Sequence, residues 1–190
     1  MKPTRPLNAV LRGDFPEMFR TFMQTNIARF PRTTRAVRDP DVPVRYMAKS
    51  TEPAYEIVEH TADLGVRVRG RDMGDLFSNA ALVLTDLLVS TAPSTESAQP
   101  MAVSVTGADS VDLLVRWLGE VLYLFEGESL VTVEVTIERL TPVHLEAIAW
   151  TLVFHPVRHE RLYGIKAVTY HQANITEKSG TLEAFILLDV

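Results

Sequence analysis

The chain has 190 residues, 46% of them hydrophobic and 23% charged, a balance that suits one well-buried soluble domain and is too short for two comfortable ones. Cysteine is absent, which removes disulfides, thiolate zinc sites and a cysteine nucleophile, and no apolar run approaches the roughly 18–20 residues of a membrane span. Charge is uneven around the net −5: residues 1–50 carry ten Lys or Arg against four Asp or Glu, and residues 51–190 carry nine against twenty.

Residues 1–54 read as a basic, Pro- and Arg-rich extension that is expected to be largely disordered. Pro3, Pro6, Pro16, Pro31, Pro40 and Pro43 interrupt it, and only Phe15 to Phe30 could make even a short helix. Arg29, Arg32, Arg35 and Arg38 could form a nucleic-acid-binding arm, but only Phe30 is interleaved with them for base stacking. The plainer readings are a solvated tail or an extended gene start, with a natural beginning near Met47. No continuous apolar segment precedes a small-residue cleavage site, so the expected location is the cytoplasm.

The domain proper is expected over residues 55–190. Leu64, Val66 and Val68 alternate with Gly65, Arg67 and Arg69, the period of a half-buried strand that closes at Gly70 to Asp72. A helix follows with Asp72 as N-cap, Asp75 in its first turn and an apolar face of Leu76, Ala80, Leu84 and Leu87. Thr91 to Pro100, rich in Ser, Thr and Pro, reads as a loop, and Ala102 to Thr106 as a short strand. A second helix repeats the first, with Asp109 as cap, Asp112 at the third position and a stripe including Leu114, Trp117, Leu118, Val121 and Phe125.

The remaining third is β. Val131, Val133, Val135 and Ile137 alternate with polar residues, and three more strands are expected at Leu145 to Phe154, Ile165 to Ile175 and Leu182 to Leu188. Lys178-Ser179-Gly180 marks a turn before the last of them. Helices early and hairpins late favour an α+β two-layer sandwich, with two helices packed on a largely antiparallel β-sheet, over a doubly wound parallel fold.

Phosphate-binding loops, the dinucleotide fingerprint, the nucleophile elbow and H-E-x-x-H are all missing. His155 and His159 have the i, i+4 spacing of a zinc pair, but Pro156 between them indicates a loop. His60 and His171 lie near strand ends, where a lone histidine serves more often as a hydrogen-bonded structural group than as a ligand. Lys166 shares a strand face with Val168 and Tyr170. It reads equally as a contact for a partner's phosphate or carboxylate and as an edge lysine that discourages strand pairing.

Two aspartates stand beside strands: Asp63 in His60-Thr61-Ala62-Asp63, and Asp189 followed by Val190 and its carboxylate. These hard oxygen anions would repel one another unless a divalent cation neutralised them, and an oxygen-only set favours Ca²⁺ or Mg²⁺ over zinc or copper. Taken singly, each reads more readily as a turn cap or a frayed end. Phe185 to Leu188 is too apolar to fray, however. Strand parity puts Asp189 with Phe185 and Leu187, and Asp63 with Arg67 and Arg69, so the carboxylates converge if the two strands are neighbours.

From Tyr55 to Val190 the chain resembles the archease family, protein cofactors of RtcB-type RNA ligases. The resemblance rests on His60-Thr61-Ala62-Asp63-Leu64-Gly65, Asn79-Ala80-Ala81-Leu82, Trp117-Leu118 with Tyr123-Leu124-Phe125, Arg158-His159-Glu160, Gly164-Ile165-Lys166-Ala167-Val168-Thr169-Tyr170-His171 and a final Leu188-Asp189. It implies an archease-like fold and a non-enzymatic role in tRNA splicing or RNA repair, in which the ligase is helped to form its guanylylated histidine and to turn over repeatedly. It further implies that Asp63, Asp189 and the Val190 carboxylate bind a divalent cation, most often Ca²⁺. Lys166 is implied to face the partner, and RNA is reached only through the ligase; His60 and His171 are further candidate partner contacts. Phe154-His155-Pro156-Val157 departs from the small or acidic loop usual there. Two other classes stay open, a metal-dependent hydrolase using Asp63 and Asp189, and a chaperone-like modulator of a tRNA methyltransferase or other RNA-modifying enzyme.

Overall fold

The computed structural model describes residues 55–59, 63–91 and 97–190, the side chains of Glu59 and Thr91 excepted. The 1–54 extension, with its arginines and Met47, and His60 lie outside the described residues. The elements run β1 (Tyr55–Glu59), β2 (Asp63–Gly70), α1 (Met73–Leu88), β3 (Val89–Thr91), β4 (Gln99–Thr106), α2 (Ser110–Glu126), β5 (Leu130–Thr141), β6 (His144–Val153), β7 (His159–Arg161), β8 (Ala167–Lys178) and β9 (Thr181–Asp189).

Both helices start as their caps dictate. The Asp72 carboxylate accepts the Asp75 N–H at 2.8 Å, and Asp75 in turn accepts the Arg71 N–H and guanidinium, so orphan amides at the helix start are satisfied reciprocally. Asp109 accepts from Val111 and Asp112, both at 2.9 Å. The end of α1 is closed from a distance. Leu162 and Tyr163 donate their N–H groups to the Leu88 and Leu87 carbonyls at 3.0 and 3.1 Å, so a segment late in the chain satisfies acceptors that the helix leaves open. Trp117, fully buried, donates its indole N–H to the Phe77 carbonyl and pins the helices together.

The strands form a four-stranded sheet in the order β1-β2-β9-β8, a three-stranded sheet β4-β6-β5 and the short pair β3-β7. Every pairing among the described residues is antiparallel. Helix α1 packs on β2 and β5, and α2 on β8 and β5, so the helix pair touches both larger sheets and is buried over most of its circumference. The α+β class with two helices on antiparallel sheet is as expected. The strands are divided among three sheets, and β1, β3 and β7 are additional to the expected elements.

Leu64, Val66 and Val68 of β2 and Ala184, Ile186 and Leu188 of β9 enter the core, which leaves Asp63, Gly65, Arg67, Phe185 and Asp189 on the opposite face. Strand β8 begins at Ala167, two residues later than expected, and runs on to Lys178. Ser179 and Gly180 then both take positive φ, 52° and 76°, the geometry of a two-residue turn matched to the twist of a hairpin.

Candidate functional site

The candidate site is one end of the β2–β9 ladder. Strand β2 opens at Asp63 and β9 closes at Asp189, and the antiparallel register sets these two residues directly opposite each other. Opposed residues share a face with Cβ atoms roughly 4.5–5.5 Å apart, so the two carboxylates point from the sheet side by side. The conditional convergence read from strand parity is thus met. On its other side Asp189 faces Ala167 of β8, whose methyl group offers no charge. Among the described residues no donor or cation is bonded to either carboxylate.

Lys166 completes this end. Its N–H donates to the Asp189 carbonyl at 2.8 Å, which anchors its main chain, and its Nζ donates to the Val190 oxygen, also at 2.8 Å. The lysine is exposed, whereas Ile165 before it is buried, so the chain is held by the core up to the residue that carries the charge. Asp63, Asp189, Val190 and Lys166 are therefore brought together by three adjacent strands.

His171 is not part of that ladder. Between Thr169, paired with Leu187, and Asn174, paired with Phe185, the register of β8 shifts, and Tyr170, His171, Gln172 and Ala173 together oppose Ile186 alone. Gln172 takes φ 56° in this bulge, and His171 is exposed with its ring 3.2 Å from the Gln172 amide. The bulge is tied to α2, since the Tyr170 hydroxyl donates to Asp112 at 2.7 Å. The Asp112 carboxyl is drawn down to about 2, first by the Ala108 N–H and then by Tyr170 and Arg116, while the same bond to Asp112 raises Tyr170. No local pattern signals this contact, because its partners lie on separate elements and meet only through packing.

His155 and His159 flank the expected loop, and His159 opens β7. The His155 N–H donates to His159 Nδ1 at 2.9 Å, so the buried His159 spends that nitrogen on its own loop. Arg161 then lies over the Phe125 and Phe154 rings, at 4.7 and 5.4 Å, and reaches Glu126 at 2.7 Å, which fastens the segment leading to Lys166.

Could the acidic end hold a cation? Among the described residues no three His, Asp or Glu side chains form a group able to share a metal ion. Two opposed, unpartnered carboxylates with an adjacent main-chain oxygen at Val190 nonetheless make an oxygen donor set of the kind hard divalent cations use. By its donors the set fits such an ion.

Fold and site together define a small α+β domain with an acidic tip that adjoins a lysine. The model of the archease protein family (MTH1598/TM1083) matches residues 55–190, and the chain belongs to that family. It is 32% identical over 140 residues to protein archease of Sulfurisphaera tokodaii, covering 72% of this chain and 98% of the relative. Protein archease of Methanosarcina acetivorans is 33% identical over 141 residues, covering 72% and 95%. The solution structure of protein 1598 of Methanobacterium thermoautotrophicum superimposes with a TM-score of 0.57 at 30% identity, covering 72% of this chain and 99% of that one. Among the described residues no helix is long and apolar enough to cross a membrane.

Proposed function

We propose that this protein acts without catalysis of its own, as a cofactor that conditions an RtcB-type RNA ligase for guanylylation and repeated turnover in tRNA splicing or RNA repair. The observation that supports this reading most is the opposition of Asp63 and Asp189 at one sheet end, adjoined by Lys166 on the Val190 oxygen. A divalent cation, most simply Ca²⁺ with Mg²⁺ as the alternative, would be held by Asp63, Asp189 and the Val190 carboxylate, where it would supply positive charge that the two carboxylates lack.

This chain's own residues supply the rest. Asp63 and Asp189 present anions at fixed spacing, because the ladder behind them is hydrogen-bonded and its inner face is packed. Lys166 is positioned to meet an anionic group on the ligase, and His171 stands on a separate protrusion of the same sheet as a further contact. An acidic domain suits docking near a basic, metal-rich partner better than direct binding of RNA.

The test is RNA joining by limiting cognate ligase, with and without this protein, comparing wild type, Asp63→Ala and Lys166→Ala. Wild type is expected to restore multiple turnover and both variants to lose most of the stimulation. No stimulation by wild type under multiple-turnover conditions would sink the reading. Turnover by the isolated protein that disappears in Asp63→Ala would point instead to a hydrolase.

A further inference from the structure

The two cations nearest the acidic ends of this sheet face are held differently. Lys178 bonds Glu183 at 2.9 Å on a carboxylate that Arg67 and Arg69 also approach, at 3.8 and 3.5 Å. Lys166 bonds only the Val190 oxygen among the described residues, and it does so beside two carboxylates that have no cation. Its main chain is fixed through Asp189, so the one freedom left to it is a swing of the side chain about a held Cα. Because the head is exposed, leaving the Val190 oxygen uncovers no buried contact, and an exposed ion pair of this kind is weak.

We propose that Lys166 is the built-in counter-ion of the tip, and that a divalent cation competes with its ammonium for the Val190 carboxylate. This rests on the metal-binding reading given above. A cation held by Asp63, Asp189 and Val190 would bring a double positive charge against the ammonium that shares the last of these groups, and the like charges repel. The lysine, being singly charged and flexible, is the one that moves. Loading the tip therefore turns Lys166 outward, and the residue suited to an anion on the partner becomes available only in the loaded form. The exchange couples two properties of the tip, its charge and its presentation of a lysine, through a single oxygen.

Two measurements on the full chain test this without any ligase. Amine acylation followed by mass spectrometry reads Lys166 against Lys178 as an internal control. Saturating Ca²⁺ is expected to raise the Lys166 rate about threefold, in keeping with release from an exposed ion pair, and to leave Lys178 unchanged. Calorimetric titration with Ca²⁺ is expected to show Lys166→Met binding up to about fivefold more tightly than wild type, the weight of that pair expressed as affinity. Lys166→Arg, which retains the competing charge, should stay close to wild type. Saturable Ca²⁺ binding that is lost in Asp63→Asn yet unchanged in Lys166→Met, with no change in Lys166 acylation, overturns the competition and leaves the metal site standing. Absence of saturable binding in both wild type and Lys166→Met overturns the metal reading and this inference together.

Discussion

The β2–β9 ladder carries acids at both ends of one face, and the two ends are built on opposite electrostatic terms. At the far end Glu183 sits among Arg67, Arg69 and Lys178, with Glu56 on the other side of Arg67, and the Lys178 contact holds its carboxyl below the ordinary range. At the near end Asp63 faces Asp189, and Lys166, the one adjacent cation bonded there among the described residues, is spent on Val190. Four further aspartates, at the starts of α1 and α2, are likewise satisfied by amides and arginines. Among the described residues, the acids at the helix starts and at the far end of this face have partners, whereas Asp63 and Asp189, where the strands end, have none. That contrast is what the proposed cation site at the near end rests on.

The largest expected effect is ionic. If the near end binds Ca²⁺, a concentration of 100 times Kd should add about 2.7 kcal/mol to the stability of wild type and nothing to Asp63→Ala, read as a calcium-dependent rise in Tm. An equal rise in both proteins would break the contrast between the two ends.

Between them lies Gly65, where an added Cβ would come within 2.8 Å of the Val58 carbonyl and 3.2 Å of the Phe185 ring. Gly65→Ala is expected to cost about 1–3 kcal/mol in denaturant unfolding, by forcing apart strands that the register at Asp63 depends on. Calcium affinity should fall with it if the tip needs that register.

Charge removal at the two ends should have opposite signs. Without calcium, Asp63→Asn relieves a like-charge pair and should stabilise by about 0.2–1 kcal/mol, whereas Glu183→Gln should destabilise by a similar amount. Destabilisation by both would mean that the near-end aspartates have a structural partner after all.

The smallest effect concerns the bulge. In Tyr170→Phe the Asp112 carboxyl should titrate above its wild-type value of about 2, as followed by carboxyl NMR. Because this pKa is depressed on folding, its contribution to stability is present above about pH 4 and is lost as pH falls through about 2, and the variant should lose part of that contribution. The calcium response of the near end should not change.

Much of this was legible before the strands were paired. Helix caps at Asp72 and Asp109, the apolar stripes and the Ser179-Gly180 turn follow from interactions within a few residues, which sequence displays directly. Alternation also assigned Asp63 and Asp189 to their faces. Strands β3 and β7, three residues each, are too short to show a period, and they exist because each pairs with the other. The bulge at Tyr170 and its bond to Asp112 were equally hidden, since nothing near Tyr170 in the chain hints that α2 begins beside it.

Sequence by itself determined which residues of this protein could face water, where its helices begin, and that two aspartates flank apolar strands. Only the tertiary structure decided that those strands are neighbours, that their register sets Asp63 against Asp189, and that Lys166 reaches Val190. The reason is physical: parity along a strand is local and is written in alternation, whereas register is a relation between segments more than a hundred residues apart and is decided by how their inner faces pack on the helices.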